Sequence, residues 1–72
     1  MKIFDVNVSW DDEAGVWIAI SEEIPLALES NSYDALLEKA KFAAPEIIEF
    51  NHKIVEPVVL FFKSERAEKV AL

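Results

Sequence analysis

Two runs of alternating apolar and polar residues, Lys2 to Trp10 and Val16 to Ser21, flank five residues that hold the only glycine in the chain. Alternation with period two marks a strand buried on one side. In the first run Phe4, Val6, Val8 and Trp10 share one side, and Ile3, Asp5, Asn7 and Ser9 the other. In the second, Val16, Ile18 and Ile20 oppose Trp17 and Ala19. Asp11 to Gly15 reverses the chain, and Gly15 suits the positive φ at the end of a hairpin loop. A β-hairpin is therefore the opening element, and the β-branched set of the second strand is expected to join Phe4, Val6 and Val8 in the core.

Beyond the hairpin, a loop over Glu22 to Leu26 contains Pro25, and residues 27–30 form a short third strand. Ser30, Asn31 and Ser32 read as the N-cap region of a helix over residues 33–51. Its apolar residues, Tyr33, Leu36, Leu37, Ala40, Ala44, Ile47 and Ile48, recur with the 3.6-residue period of a helix lying on a sheet, and Asp34 suits the positive end of its dipole. Pro45 removes a backbone donor and crowds the Lys41 carbonyl, at a cost of about 3 kcal/mol. It projects away from the apolar stripe, so a single helix kinked convex to solvent is expected.

The apolar run Val58 to Phe62 predicts a last strand over residues 57–63, covered on both sides. From Lys63 onward the tail is of mixed charge and could form a frayed helical turn. The fold class is α+β, in the order β-β-β-α-β, with a mainly antiparallel sheet and one helix on one face. A right-handed crossover puts the last strand parallel to the first and beside it.

One helix covers one face of such a sheet. The opposite face is expected to present Ile3, Trp17 and Ala19 together with Val59 and Phe61, an apolar surface of the kind that marks a partner or dimer interface. Phe42, projecting opposite the buried stripe among Glu38, Pro45, Glu46 and Glu49, is a further interface residue. A 72-residue domain has a marginal core, and self-association would stabilise it, so a homodimer or higher homo-oligomer is expected.

Charge and chemistry narrow the function. The net charge of −7 disfavours nucleic acid, and it is unevenly spread. Met1 to Glu38 holds nine acids and one base, a net of −8, whereas Lys39 to Leu72 holds five acids and six bases, a net of +1. Asp11, Asp12, Glu13, Glu22 and Glu23 form an acidic surface suited to steering a basic protein. There is no cysteine, and the lone His52 cannot by itself build a metal site. Asp5, Asp34 and Glu38 do not converge as a two-metal site requires. The acidic loops lack calcium-loop spacing, and no serine has a histidine partner. The expectation is a binding protein, not an enzyme, without metal or cofactor. No membrane-length apolar run or signal peptide is present, so a cytoplasmic location is expected.

The stretch Val8-Ser9-Trp10-Asp11-Asp12-Glu13-Ala14-Gly15-Val16-Trp17-Ile18-Ala19, followed by Ile24-Pro25 and Ser30-Asn31-Ser32-Tyr33-Asp34-Ala35-Leu36, resembles the short HicB-like antitoxin family, in particular its single-domain, uncharacterised branch. The similarity spans roughly Phe4 to Asn51. It implies a partial RNase H-like fold, frequent dimerisation and, in true antitoxins, occlusion of a small basic HicA-type ribonuclease. Leu26 stands where that family often has glycine after the proline. Full antitoxins add a C-terminal DNA-binding module, for which the ten residues from Lys63 leave no room, so direct DNA contact is not expected.

Overall fold

A computed structural model describes residues 1–54 and 56–72. It is α+β, with strands β1 (Ile3–Asp11), β2 (Val16–Ser21), β3 (Leu26–Ser30), helix α1 (Tyr33–His52) and strand β4 (Val59–Glu65). The sheet order is β3-β2-β1-β4, antiparallel except for the β1–β4 pair, which is parallel.

The hairpin closes with Asp11 opposite Val16. Asp11 holds the loop from both ends: its carboxylate accepts the Glu13 and Ala14 N–H groups, and its carbonyl accepts the Gly15 N–H at 2.8 Å. Gly15 has φ 67°, and a Cβ there would meet nothing within 4 Å. The demand is therefore conformational and not steric. Gly15→Ala is expected to lower stability by about 1 kcal/mol, read as a shifted urea midpoint with an unchanged slope.

Register decides which side chains meet the helix, and it corrects the expected packing of β2. A four-residue loop between Asp11 and Val16 pairs Val8 with Ala19 and Trp10 with Trp17. Trp17, Ala19 and Ser21 therefore join Phe4, Val6 and Val8 under the helix, while Val16, Ile18 and Ile20 lie on the far side. Ala19 is fully buried and Trp17 packs against the core. Leu36, Ala40, Ala44 and Ile48 of the helix complete that core with Ile24 and Leu26. Small residues on both sides, Ala19 and Ser21 below and Ala40 and Ala44 above, suit a close approach of helix to sheet.

The helix runs unbroken through the exposed Pro45. Ser32 caps its start, its hydroxyl accepting the Ala35 N–H. Lys53 ends it in the left-handed conformation at φ 56°, its N–H donating to the Glu49 carbonyl. His52, in the last turn, donates from Nε2 to the Glu23 carbonyl at 3.0 Å and rests on the Phe4 ring. This ties the helix C-terminus to the β2–β3 loop.

The expectations for the last strand, in its bounds, its tail and its cover, are also corrected. It begins at Val59 and not at residue 57, because Pro57 has no N–H to give and parallel pairing starts with Ile3 opposite Val59. It then runs on through Ser64 and Glu65, and Ala67 to Leu72 continue without helix. Nor is it covered on both sides. It is the end strand of the sheet: Leu60 and Phe62 pack against the core, while Val59 and Phe61 are exposed on the side away from the helix.

Candidate protein-docking face

The face of the sheet turned away from the helix is built by the odd residues of β1 and β4, the even residues of β2, and Ala27 and Glu29 of β3. Across one row stand Phe61 and Asp5; across the next Lys63, Asn7, Ile20 and Ala27; across the third Glu65, Ser9, Ile18 and Glu29. Relative exposure is 54% for Ile3, 49% for Ile20 and 53% for Phe61, and Val59 is also open. Isolated apolar residues on a surface are ordinary, but several on one uncovered face are not.

This face is not uniformly apolar. A polar stripe along β1 divides it, with Ile3, Val59 and Phe61 on one flank and Val16, Ile18 and Ile20 on the other. At its centre Lys63 Nζ donates to Asp5 Oδ2 at 3.2 Å and lies 5.9 Å from the centre of the Phe61 ring. Glu23 Oε1 accepts the Asp5 N–H at 2.9 Å, and the Ser21 hydroxyl donates to the Asp5 carbonyl. The β2–β3 loop is thereby fastened to β1. Asp5, Asn7, Glu22, Glu23 and Lys63 line a shallow polar hollow of 330 Å³. A surface of this composition suits protein recognition, with apolar anchors set around an oriented charge pair.

Of the residues expected at the interface, Ile3, Val59 and Phe61 stand together on this face. Trp17 and Ala19 do not. They lie beneath the helix, for the register reason given above. Phe42 is 89% exposed, but it belongs to the outer side of the helix with Phe50, which is 84% exposed. Helix and open sheet face are opposite surfaces, so neither phenylalanine joins the patch. Val16, Ile18 and Ile20 are the apolar face residues missed from sequence, and the four-residue hairpin loop was the signal that places them.

The acidic residues also divide. Asp11, Asp12 and Glu13 sit at the hairpin tip, where Asp11 serves the turn and Asp12 Oδ1 accepts the Trp10 indole N–H at 3.2 Å. Glu22 and Glu23 lie at the other end of the sheet, Glu23 serving the β1 backbone. Among the described residues no group of three or more histidine, aspartate and glutamate side chains is arranged to hold a metal ion. No helix there is long and apolar enough to cross a membrane.

A second cluster, unseen in the sequence, fixes the end of β4. Trp10 and Trp17 meet edge-on at 5.3 Å, Trp17 meets Tyr33 at 5.2 Å, and the Arg66 guanidinium lies 4.2 Å over Trp10. The Tyr33 and Ser64 hydroxyls are hydrogen-bonded. Such cation–π stacking holds the root of the tail against the helix-side corner of the sheet.

The family model described as a domain of unknown function, DUF1902, matches residues 3–72, nearly the whole chain. The chain belongs to the DUF1902 family. Among solved structures it is similar to a hypothetical protein from the extremely thermophilic bacterium Thermus thermophilus. The two share 37% identity and a TM-score of 0.80, over 96% of this chain and 100% of that one. No curated protein matches it. Neither the DUF1902 description nor that of the Thermus protein carries an activity.

Proposed function

We propose that this DUF1902 domain is a protein-binding module, antitoxin-like in mode, that neutralises a small basic ribonuclease of the HicA type by covering it. The observation that carries this reading is the helix-free sheet face, on which Ile3, Ile20, Val59 and Phe61 are open around the Asp5–Lys63 pair. Burying such residues against a partner supplies binding energy, and aromatics at the centre of a patch commonly dominate it. The net charge of −7, concentrated before Lys39, favours a cationic partner and speeds its encounter. The resemblance to HicB-like antitoxins supplies the class of partner. The role is binding and not catalysis, without direct contact to nucleic acid or membrane.

The test is a purified small basic ribonuclease of the HicA type, assayed for RNA cleavage with and without the domain. Wild-type domain is expected to stop cleavage near equimolar ratio. The doubly substituted Ile20→Asp, Phe61→Asp domain, folded by circular dichroism, is expected to need at least about tenfold more protein. Undiminished cleavage at excess wild-type domain would refute the antitoxin reading. Equal inhibition by both proteins would move the contact away from this face.

A second reading, a homodimeric scaffold with no toxin, has its own support in the open edge of β4.

A further inference from the structure

The two edges of the sheet are unlike. At β3, Lys39 reaches from the helix and donates to the Glu29 carbonyl at 3.1 Å, so a side chain already occupies part of that edge. At β4 the Val59 N–H is spent on the Lys2 carbonyl, which turns the backbone groups of Leu60, Phe62 and Ser64 outward, away from β1. The strand carrying this open edge has the composition of an interior strand: Val59, Leu60, Phe61 and Phe62 in succession. Edges left to solvent are normally short, bulged or charged.

Beyond Glu65 the chain does not fold back. Ala67 to Leu72 are all exposed, with Val70 at 75%. The molecule measures 51 × 18 × 18 Å, and its long axis matches about fifteen extended residues, the length of Val58 to Leu72. The radius of gyration is 13.7 Å against about 11 Å for a compact domain of this length. Arg66, held on Trp10, fixes the direction in which this arm departs.

We infer that the occupant of the β4 edge is a second copy of this chain, paired antiparallel about a two-fold axis at Ser64, so that each arm lies along β4 of the other copy. Charge selects this register. With Ser64 on the axis, Lys63 of each copy stands opposite Glu65 of the other, giving two reciprocal ion pairs. Moving the axis to Lys63 sets two ammonium groups face to face, and moving it to Phe62 sets Lys63 against Phe61 and Glu65 against Val59. Opposite charges directly across a pair of strands stabilise it, and like charges destabilise it.

The same register gives the arm its place. Val70 falls opposite Val58 on the helix side of the sheet. There Pro45, Ile48, Ile54, Pro57 and Val58, together with Glu49 and Glu56, line a groove of 360 Å³, and Pro45 and Val58 also border one of 230 Å³ with Lys41, Ala44 and Leu60. Alternation then turns Leu72 toward the same side and Lys69 toward the open face. The axis stands perpendicular to the sheet, so both helices lie on one side and both open faces on the other. The proposed docking faces remain on the open side and are presented as a pair, with Lys63 serving both its Asp5 partner and the contact across the axis.

The test is sedimentation of the full chain, its variants and their mixture. Wild type is expected to be a dimer, and a chain ended after Arg66 a folded monomer. Lys63→Glu and Glu65→Lys each place like charges across the axis and are expected to weaken dimerisation at least about tenfold. An equimolar mixture of those two variants restores both ion pairs, because one chain is then acidic and the other basic at both positions. It is expected to form dimers containing one chain of each kind. A monomeric wild type, a truncated chain that dimerises as tightly as wild type, or a mixture no tighter than its components would each overturn the inference.

Discussion

Phe4→Ala is expected to leave most of the protein unfolded, or folded only well below the melting temperature of the wild type. Phe4 is completely buried on β1, an interior strand paired on both sides, and is the largest fully buried side chain beneath the helix. Its ring also meets His52, whose hydrogen bond to the Glu23 carbonyl joins the helix C-terminus to the β2–β3 loop. Replacing a buried phenylalanine by alanine costs about 3–5 kcal/mol, since the hydrophobic transfer and the unfilled cavity add. A domain of 72 residues has about 4–11 kcal/mol of stability to lose. Thermal melting followed by circular dichroism checks this, and a melting temperature within a few degrees of wild type would contradict the assigned core.

Much of the architecture was legible because single elements announce themselves. The alternation of Phe4, Val6 and Val8, the glycine at position 15 and the helical stripe from Leu36 to Ile48 each depend on local geometry. From these the element order and the parallel β1–β4 pair follow by the handedness of crossovers. Even the continuity of the helix through Pro45 was readable, because a proline off the buried stripe costs hydrogen bonding without disturbing the packed side.

What was not legible depends on relations between elements. Val16, Ile18 and Ile20 look more suited to a core than Trp17, Ala19 and Ser21, and hydrophobicity alone assigns them inward. The loop length assigns them outward, since one residue of register exchanges the two faces of a strand. Close helix packing then favours the small Ala19 and Ser21, and the Trp17 ring finds Trp10, Tyr33 and Arg66 at the margin. The run Val58 to Phe62 misled in a related way. A continuous apolar strand is expected where both sides are covered, and within one chain the single helix covers one side, burying Leu60 and Phe62 in part and leaving Val59 and Phe61 exposed. Of the candidate site, Ile3, Val59 and Phe61 were found because they alternate with residues facing the core. Val16, Ile18 and Ile20 were missed with the register of β2.

Neighbouring residues on β2 separate the two faces. Ala19→Asp is expected to abolish folding near neutral pH. Ala19 has no exposed surface and lies between Val8 and Leu28 on neighbouring strands, with the helix above. A carboxylate there would be stripped of its water within the hydrophobic core, at a cost of several kcal/mol. Ile20→Asp, one residue further on, puts the same group on the open face, half exposed and across from Asn7. It forfeits only part of the burial of an isoleucine, about 1 kcal/mol.

The denaturation midpoints of Ala19→Asp and Ile20→Asp, measured side by side, bear most directly on a sheet with one roofed and one open face. A folded Ile20→Asp protein with a midpoint near that of wild type, beside an Ala19→Asp protein with no folding transition, is the expected result. Comparable losses at both positions, or a greater loss at Ile20, would mean that the face assigned to partner binding is itself buried.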